Sequence, residues 1–227
     1  MAKFCTNCGK KLKEGEKCDC TPAVTSNIDF QKILDICKNM FIKPIDTMKE
    51  FTKKSNFTLA MILTGALSII AGLFGMAIMK NAFALIGNQS LYRTYAYGSM
   101  PVNIPYGKIF FTSLILVFAI SFIYSGVLYL VNTIIFKRTA DFKEVYALYG
   151  VTSIVISVTM LVSSILMFLN IYFAFIIVGL GSILATVYNY HGLKFLGDKD
   201  ENKYGYIYLT TCVVFYIVVF IITKIFS

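Results

Sequence analysis

Residues 145–193 form the longest uncharged segment of the chain and read VYALYGVTSIVISVTMLVSSILMFLNIYFAFIIVGLGSILATVYNYHGL. These 49 residues contain no Asp, Glu, Lys or Arg. One continuous α-helix of this length would measure about 73 Å, more than twice the roughly 30 Å hydrocarbon core of a bilayer. The segment therefore predicts two membrane-spanning helices joined by a tight turn near Asn170, and it indicates an integral membrane protein.

Three further apolar segments bordered by lysines complete a membrane domain over residues 55–227. Together with the two halves of the uncharged segment they give five predicted spans, at residues 57–79, 109–136, 145–169, 171–193 and 206–223. The apolar content of 57% supports membrane residence, because soluble domains are about 45–50% apolar. The predicted fold is an all-α membrane protein with a five-transmembrane-helix bundle, preceded by a small cytosolic zinc ribbon and an amphipathic interfacial helix.

The basic residues are distributed unevenly between the two sides of this bundle. With the N-terminus in the cytoplasm, 17 of the 21 Lys and Arg residues fall on the cytoplasmic side. Because Lys and Arg accumulate in cytoplasmic segments, we predict a multi-pass protein of the cell membrane. Its N-terminus is predicted to be cytoplasmic and its C-terminus extracytoplasmic. The basic residues follow the spans closely, which argues against a nucleic-acid-binding patch.

Four cysteines lie within 16 residues near the N-terminus, Cys5 with Cys8 and Cys18 with Cys20. Two close pairs of thiolates suit a tetrahedral structural Zn²⁺. Disulfides and free thiols are the alternatives, but disulfides are rare in a cytoplasmic segment. A redox Cys-x-x-Cys would be expected to open a helix in a βαβ unit. Residues 1–20 are therefore predicted to bind one zinc ion with a structural and not a catalytic role.

This cysteine pattern resembles the short N-terminal zinc ribbon of bacterial membrane proteins. That ribbon has the form Cys-x-x-Cys-Gly, a hairpin, and a second Cys-x-x-Cys. Cys8 is followed by Gly9 as in the pattern, whereas the second pair, Cys18 and Cys20, is one residue shorter.

Residues 21–27 form a predicted linker, and an amphipathic segment follows at 28–54. Its apolar residues recur at helical spacing, and Pro44 is placed to begin a second helix. Helices with one apolar face and a lysine-rich opposite face tend to lie in the membrane interface. Packing of the same face against the protein's own spans is the alternative, and the sequence leaves both open.

Small residues recur at steps of three and four on two of the spans, which lets helix backbones approach closely. They favour packing within one chain over a seam between the copies of a homo-oligomer. The two sets are Gly65, Ser68, Gly72 and Gly75, and Gly181, Ala185 and Asn189.

No Asp, Glu, Lys or Arg lies within a span, and the single histidine, His191, ends the fourth. Proton pumps and intramembrane proteases depend on such groups, so the chain is predicted not to be an enzyme. The leading hypothesis is a scaffold or adaptor, embedded in the lipid bilayer, whose zinc ribbon binds a cytosolic or membrane protein partner. The alternative is a transporter or channel subunit that uses uncharged residues such as Asn132, Asn170 and Asn189.

Two short sequences precede and open the spans: FIKPIDT at residues 41–47 and ALYG at residues 147–150. Together with the layout of residues 30–225, they resemble the YIP family of Ypt/Rab-interacting membrane proteins, in its bacterial form with a zinc ribbon. The resemblance implies a helical bundle with a cytosolic N-terminus. Eukaryotic relatives act in vesicle traffic through Rab GTPases, but their Asp-Leu-Tyr-Gly-Pro motif is absent here. Rab binding is therefore not implied.

Overall fold

The computed structural model describes residues 3–4, 11–12, 30–54, 56–89, 104–197 and 201–226. The chain divides into two compact units, residues 1–33 and 34–227. In the first unit, strands β1 (Lys3–Phe4) and β2 (Lys11–Leu12) pair in an antiparallel ladder. Lys3 lies opposite Leu12 in this ladder, and Phe4 lies opposite Lys11.

The rest of the described chain is helical. Its α-helices are α1 (Phe30–Ile42), α2 (Pro44–Lys53), α3 (Phe57–Gln89), α4 (Tyr106–Leu130), α5 (Phe142–Leu166), α6 (Ile171–Gly192) and α7 (Glu201–Phe226). A π-helical turn (Val131–Ile135) extends α4, and a 3₁₀ turn (Leu193–Phe195) follows α6.

Five helices in the described part of the chain, α3 to α7, are long and apolar enough to cross a membrane. This confirms the prediction of a helical architecture with five such segments. The segments are Phe57–Asn81, Tyr106–Ile135, Phe142–Leu166, Ile171–Phe195 and Asn202–Lys224. α3 itself continues to Gln89, ten residues past the predicted end of the first span at residue 79.

Polar caps explain where the two helices of the uncharged segment begin. At the start of α5, Asp141 accepts a hydrogen bond from the Lys143 amide, and the Glu144 carboxylate accepts one from the Asp141 amide. At the start of α6, Asn170 Oδ1 accepts from the Tyr172 amide at 2.8 Å. These side chains satisfy amides that the first turn of a helix leaves unpaired, so α5 and α6 form as separate helices.

α5 lies at the centre of the bundle, where 61% of its apolar stretch is buried. It packs along α3 and α6, while α4 packs mainly on α3 and α7 mainly on α4. α2 packs against α5, α6 and the 3₁₀ turn. α2 therefore lies at the end of the bundle where α5 begins and α6 ends.

The central helix approaches its neighbours closely where glycine removes a side chain. A methyl group on Gly150 of α5 would lie 2.6 Å from the Ala60 Cβ and 2.8 Å from the Ala60 Cα of α3. A methyl group on Gly181 of α6 would lie 2.2 Å from the Thr159 hydroxyl of α5. The small residues of the spans are therefore used within one chain at these two contacts, as close helix packing in a membrane requires.

The two amphipathic helices differ in how they use their apolar residues. α2 buries Met48, Phe51 and Thr52, and it packs on the bundle. α1 buries Met40, whereas Phe41 beside it is 45% exposed. Of the two alternatives left open by the sequence, the bundle is the partner of α2.

Candidate functional site

The four predicted zinc ligands, Cys5, Cys8, Cys18 and Cys20, lie outside the described residues, as does the predicted linker at 21–27. The pairing of β1 with β2 bears on the first two of them. β1 ends directly before Cys5, and β2 begins three residues after Cys8. Zinc ribbons use such close cysteine pairs as ligands. The zinc site stays a prediction.

The described residues offer no competing metal site. None of their His, Cys, Asp and Glu side chains come together in a group of three or more that could hold an ion. Cys37 and Cys212 are free thiols. Burial raises the pKa of the Cys37 thiol above its ordinary value. Because the thiolate is the reactive form, Cys37 is suited to packing in α1 and not to ligation or nucleophilic chemistry.

Arg138 is the one charged side chain that is buried in the described part of the chain, with 5% of its surface exposed. It lies in the connection between α4 and α5. Its Nη1 donates to Asn132 Oδ1 at 3.3 Å, and its Nη2 donates to the Leu196 carbonyl. The guanidinium carbon lies 5.0 Å from the centre of the Tyr204 ring in α7. Arg138 therefore joins the α4–α5 connection to the α6–α7 connection and to the start of α7.

The backbone around Arg138 is unusual in three places. Asn132 lies in the π-helical turn that ends α4, a feature often found at functional sites. Lys137 has a positive φ of 52°, which side chains other than glycine adopt at a cost. Gly197 has a φ of 68°, and a side chain there would approach the Thr139 carbonyl to 2.7 Å. The Lys137 conformation is therefore one that local preference disfavours, whereas the φ of Gly197 is one that glycine adopts readily.

Hydrogen bonds between side chains join α5 to three neighbouring spans, α3, α4 and α6. The pairs are Tyr146 with Thr64 of α3 at 2.8 Å, Tyr149 with Ser121 of α4 at 3.3 Å, and Thr152 with Asn189 of α6 at 3.0 Å. All six side chains lie within the apolar helices, where water cannot replace a missing partner. These bonds fix which faces of the helices meet.

Three aromatic side chains pack around the ring of Tyr146. Its ring centre lies 5.1 Å from that of Phe57, 4.8 Å from that of Phe122 and 6.0 Å from that of Phe142. These rings come from α3, α4 and α5, and Phe57 and Phe142 are the first residues of α3 and α5. The cluster therefore joins three helices near the end of the bundle where α3 and α5 begin. Tyr146 is fully buried within it.

The three asparagines named for the transporter hypothesis each have a partner within the fold. Asn132 accepts from Arg138, and Asn170 caps α6 in an exposed turn at the other end of the bundle. Asn189 accepts from Thr152 and donates to the Ala185 carbonyl at 3.0 Å. Each asparagine therefore has at least one bond within the fold, while the buried Nδ2 of Asn132 has no hydrogen-bond partner among the described residues.

Arg138 enters the sequence-based prediction only as one of the orienting charges, and Tyr146 does not enter it. Arg138 is one of two arginines among 21 basic residues, and arginine is the cation that suits buried sites with several acceptors. Tyr146 precedes Gly150 by four residues, which places both on one face of a helix. Those two signals were available in the sequence.

Five apolar helices joined by paired polar groups define a multi-pass helical membrane protein. Comparison with known protein families gives a more specific assignment. The Yip1 domain matches residues 38–222, from within α1 to the last turns of α7. Since this match covers most of the chain, the protein belongs to the Yip1 domain family, and the resemblance to the YIP family is confirmed.

Yip1 family members are membrane proteins that interact with other proteins and are not known as enzymes. No curated protein and no solved structure matches the chain. The family assignment therefore supplies the class of protein and the membrane location, while the zinc ribbon and its partner stay predictions.

Proposed function

We propose that this protein is a non-enzymatic membrane scaffold or adaptor. In this proposal the five-helix bundle anchors a cytosolic N-terminal zinc ribbon, and the ribbon binds a protein partner. The observation that carries the proposal is the use of the interior polar groups around α5. Tyr146, Tyr149 and Thr152 bond to α3, α4 and α6, so they serve to join helices to one another.

The predicted orientation is supported by the position of the basic residues. α2, the α4–α5 connection and the 3₁₀ turn lie at one end of the bundle, since α2 contacts α5 and the 3₁₀ turn and Arg138 bonds to Leu196. This end carries the two lysines of α2, together with Lys137 and Lys194. By the positive-inside rule, this end lies on the cytoplasmic side of the cell membrane.

The zinc ribbon is supported by the donor set and by the paired strands. Four thiolates fill a tetrahedral zinc site completely, which leaves no open position for catalysis. A segment of about 20 residues has too little core to fold alone, so the ion would supply most of its stability. The ribbon would then be a rigid surface that a partner can recognise.

A co-purification experiment with metal analysis tests the proposal. Full-length protein is isolated from native membranes beside a Cys5→Ser/Cys8→Ser variant, with Cys37→Ser as the matched control because Cys37 lies outside the predicted ligand set. We expect one zinc per chain in the parent and in Cys37→Ser, and at least one protein partner that only these two retain. The double variant is expected to lose both the zinc and that partner.

Two results would contradict the proposal in different ways. Clearly less than one zinc per chain in the parent would overturn the ribbon. One zinc per chain with identical partners in all three proteins would leave the metal site standing and overturn its role as an adaptor.

A further inference from the structure

The junction of α1 and α2, which we call the elbow (residues 34–45), exposes large apolar side chains outside the spans. Leu34 is 45% exposed, Phe41 45%, Ile42 59% and Ile45 46%. Leu34 and Phe41 are seven residues apart and therefore share one face of α1. Exposed apolar side chains are expected on a span, because lipid covers them. The elbow precedes the first span, so its exposed apolar side chains need a separate explanation.

The bundle leaves this surface uncovered while burying the adjacent one. Met40, next to Phe41, and Met48, one turn after Ile45, are both fully buried. Backbone hydrogen bonds continue on both sides of the junction, from Lys43 N to Asn39 O at 2.7 Å and from Thr47 N to Lys43 O at 3.0 Å. The elbow is therefore a regular part of the helices, and its apolar residues lie on the surface because the helix geometry places them there.

The position of the elbow brings it to the level of the bilayer surface. α2 packs on α5, α6 and the 3₁₀ turn at the lysine-rich end of the bundle. Only residues 54–56 separate α2 from the start of α3. An apolar surface held beside a span has the adjacent leaflet within reach at all times, which gives it a high effective concentration of lipid.

The charged residues around the elbow indicate which lipid headgroups it would bind. Residues 34–54 contain five lysines and three acidic residues. Lys38, Lys43 and Lys49 are exposed around the elbow. Lys54 already pairs with Glu50 at 2.5 Å. Juxtamembrane lysines are attracted to anionic headgroups, and an apolar face beside lysines is the pattern of a helix that lies in the interface.

We propose that the elbow is a binding surface for anionic phospholipids. Leu34, Phe41, Ile42 and Ile45 insert between the lipids of the adjacent leaflet, and Lys38 and Lys43 contact the phosphates. The bundle thereby gains a lipid-sensitive element on α1 that does not depend on the zinc ribbon.

Tryptophan fluorescence tests the insertion directly, because the chain contains no Trp. Phe41→Trp places a single reporter on the proposed inserting face. Asn39→Trp is the matched control, since Asn39 is exposed and two residues away on the other side of α1. Full-length protein is reconstituted in phosphatidylcholine vesicles with and without phosphatidylglycerol. The quenchers are acyl-chain-brominated lipid and iodide on both sides of the membrane.

We expect brominated lipid to quench Phe41→Trp several-fold more than Asn39→Trp, and iodide to show the opposite order. Phosphatidylglycerol should increase the lipid quenching of Phe41→Trp, and Lys38→Gln/Lys43→Gln should remove that increase. Ile45→Trp provides a second reporter on α2, with the helical circular dichroism of each variant as the control for folding.

Equal quenching of Phe41→Trp and Asn39→Trp by iodide would overturn the insertion. Protection of Phe41→Trp from both quenchers would also overturn it, because protein would then cover the elbow. Insertion that does not respond to phosphatidylglycerol would overturn the preference for anionic lipid.

Discussion

α5 and α7 are both apolar enough to cross a membrane, yet they occupy opposite positions in the bundle. Within their apolar stretches, 61% of α5 is buried and 11% of α7. α5 places Gly150 against α3 and bonds through Thr152 to α6. The exposed surface of α7 consists of large apolar and aromatic side chains, including Leu209, Val213, Tyr216, Ile217, Phe220 and Ile221.

The difference between α5 and α7 separates two properties, partition into the membrane and position within the bundle. Hydropathy is related only to the first. Apolarity partitions both helices into the membrane, because each backbone satisfies its own hydrogen bonds there. Lipid is as apolar as leucine, so apolarity does not select which helix occupies the centre. The close approach at Gly150 and the side-chain hydrogen bonds to α3, α4 and α6 hold α5 at the centre.

α7 is also packed unevenly along its length. In residues 202–224 the buried side chains are Tyr204, Ile207 and Thr211, all in the first half of the helix. The guanidinium of Arg138 contacts Tyr204 at this same end. α7 is therefore held to the bundle mainly where it begins, beside the Arg138 contacts.

The largest expected effect comes from filling the contact of the central helix. We expect Gly150→Leu to destabilise the protein by about 3 kcal/mol, because the new side chain must displace the Ala60 backbone of α3. Gly205→Leu in α7 is the matched control, because no atom beyond its chain neighbours and the local helix backbone lies within 4 Å of a Cβ at that position. Thermal unfolding in detergent micelles measures both, and the control should unfold at or slightly above the parent temperature.

Equal loss of stability in the two variants would contradict the central position of α5. It would show that α7 packs as closely as α5 does, against the burial described above.

The sequence predicted the helical class and the five apolar segments well, because long uncharged runs and bordering lysines depend only on local composition. The position of a helix within the bundle depends on contacts far apart in sequence. Gly150 contacts Ala60, which is 90 residues away in sequence, and no pattern within α5 predicts that contact. The two amphipathic helices show the same limit, since similar patterns led to burial of Met48 and Phe51 in α2 and exposure of Leu34 and Phe41 in α1.

The role of Arg138 was missed for a related reason. Basic residues between spans are usually read as orienting charges, and that rule says nothing about burial. The partners of Arg138 come from the π-helical turn, from Leu196 and from Tyr204, which are brought together only by the fold. The zinc ligands differ from Arg138 in this respect. They are predicted from the spacing of four cysteines that are close together in the sequence.

The second prediction concerns the attachment of α7. We expect Arg138→Met to destabilise the protein by about 2 kcal/mol, because it removes the hydrogen bonds to Asn132 and Leu196. It should also loosen α7, which is measured by faster alkylation of Cys212 with a membrane-permeant maleimide. Lys137→Met is the control, since Lys137 is exposed beside Arg138. If Cys212 reacts at the parental rate in Arg138→Met, then Arg138 does not hold α7.

The smallest effect is expected at the hydrogen bond between α5 and α3. Tyr146→Phe removes the hydroxyl that lies 2.8 Å from Thr64, and we expect a loss of about 0.6 kcal/mol, as is typical between helices in membranes. The loss is small because Thr64 keeps its bond to the Ala60 carbonyl at 3.0 Å and is not left unsatisfied. Tyr216→Phe in α7 is the control, with a side chain that is 71% exposed. Chemical denaturation in micelles should separate the two variants, and a loss in Tyr216→Phe as large as in Tyr146→Phe would show that polar contacts do not favour α5 over α7.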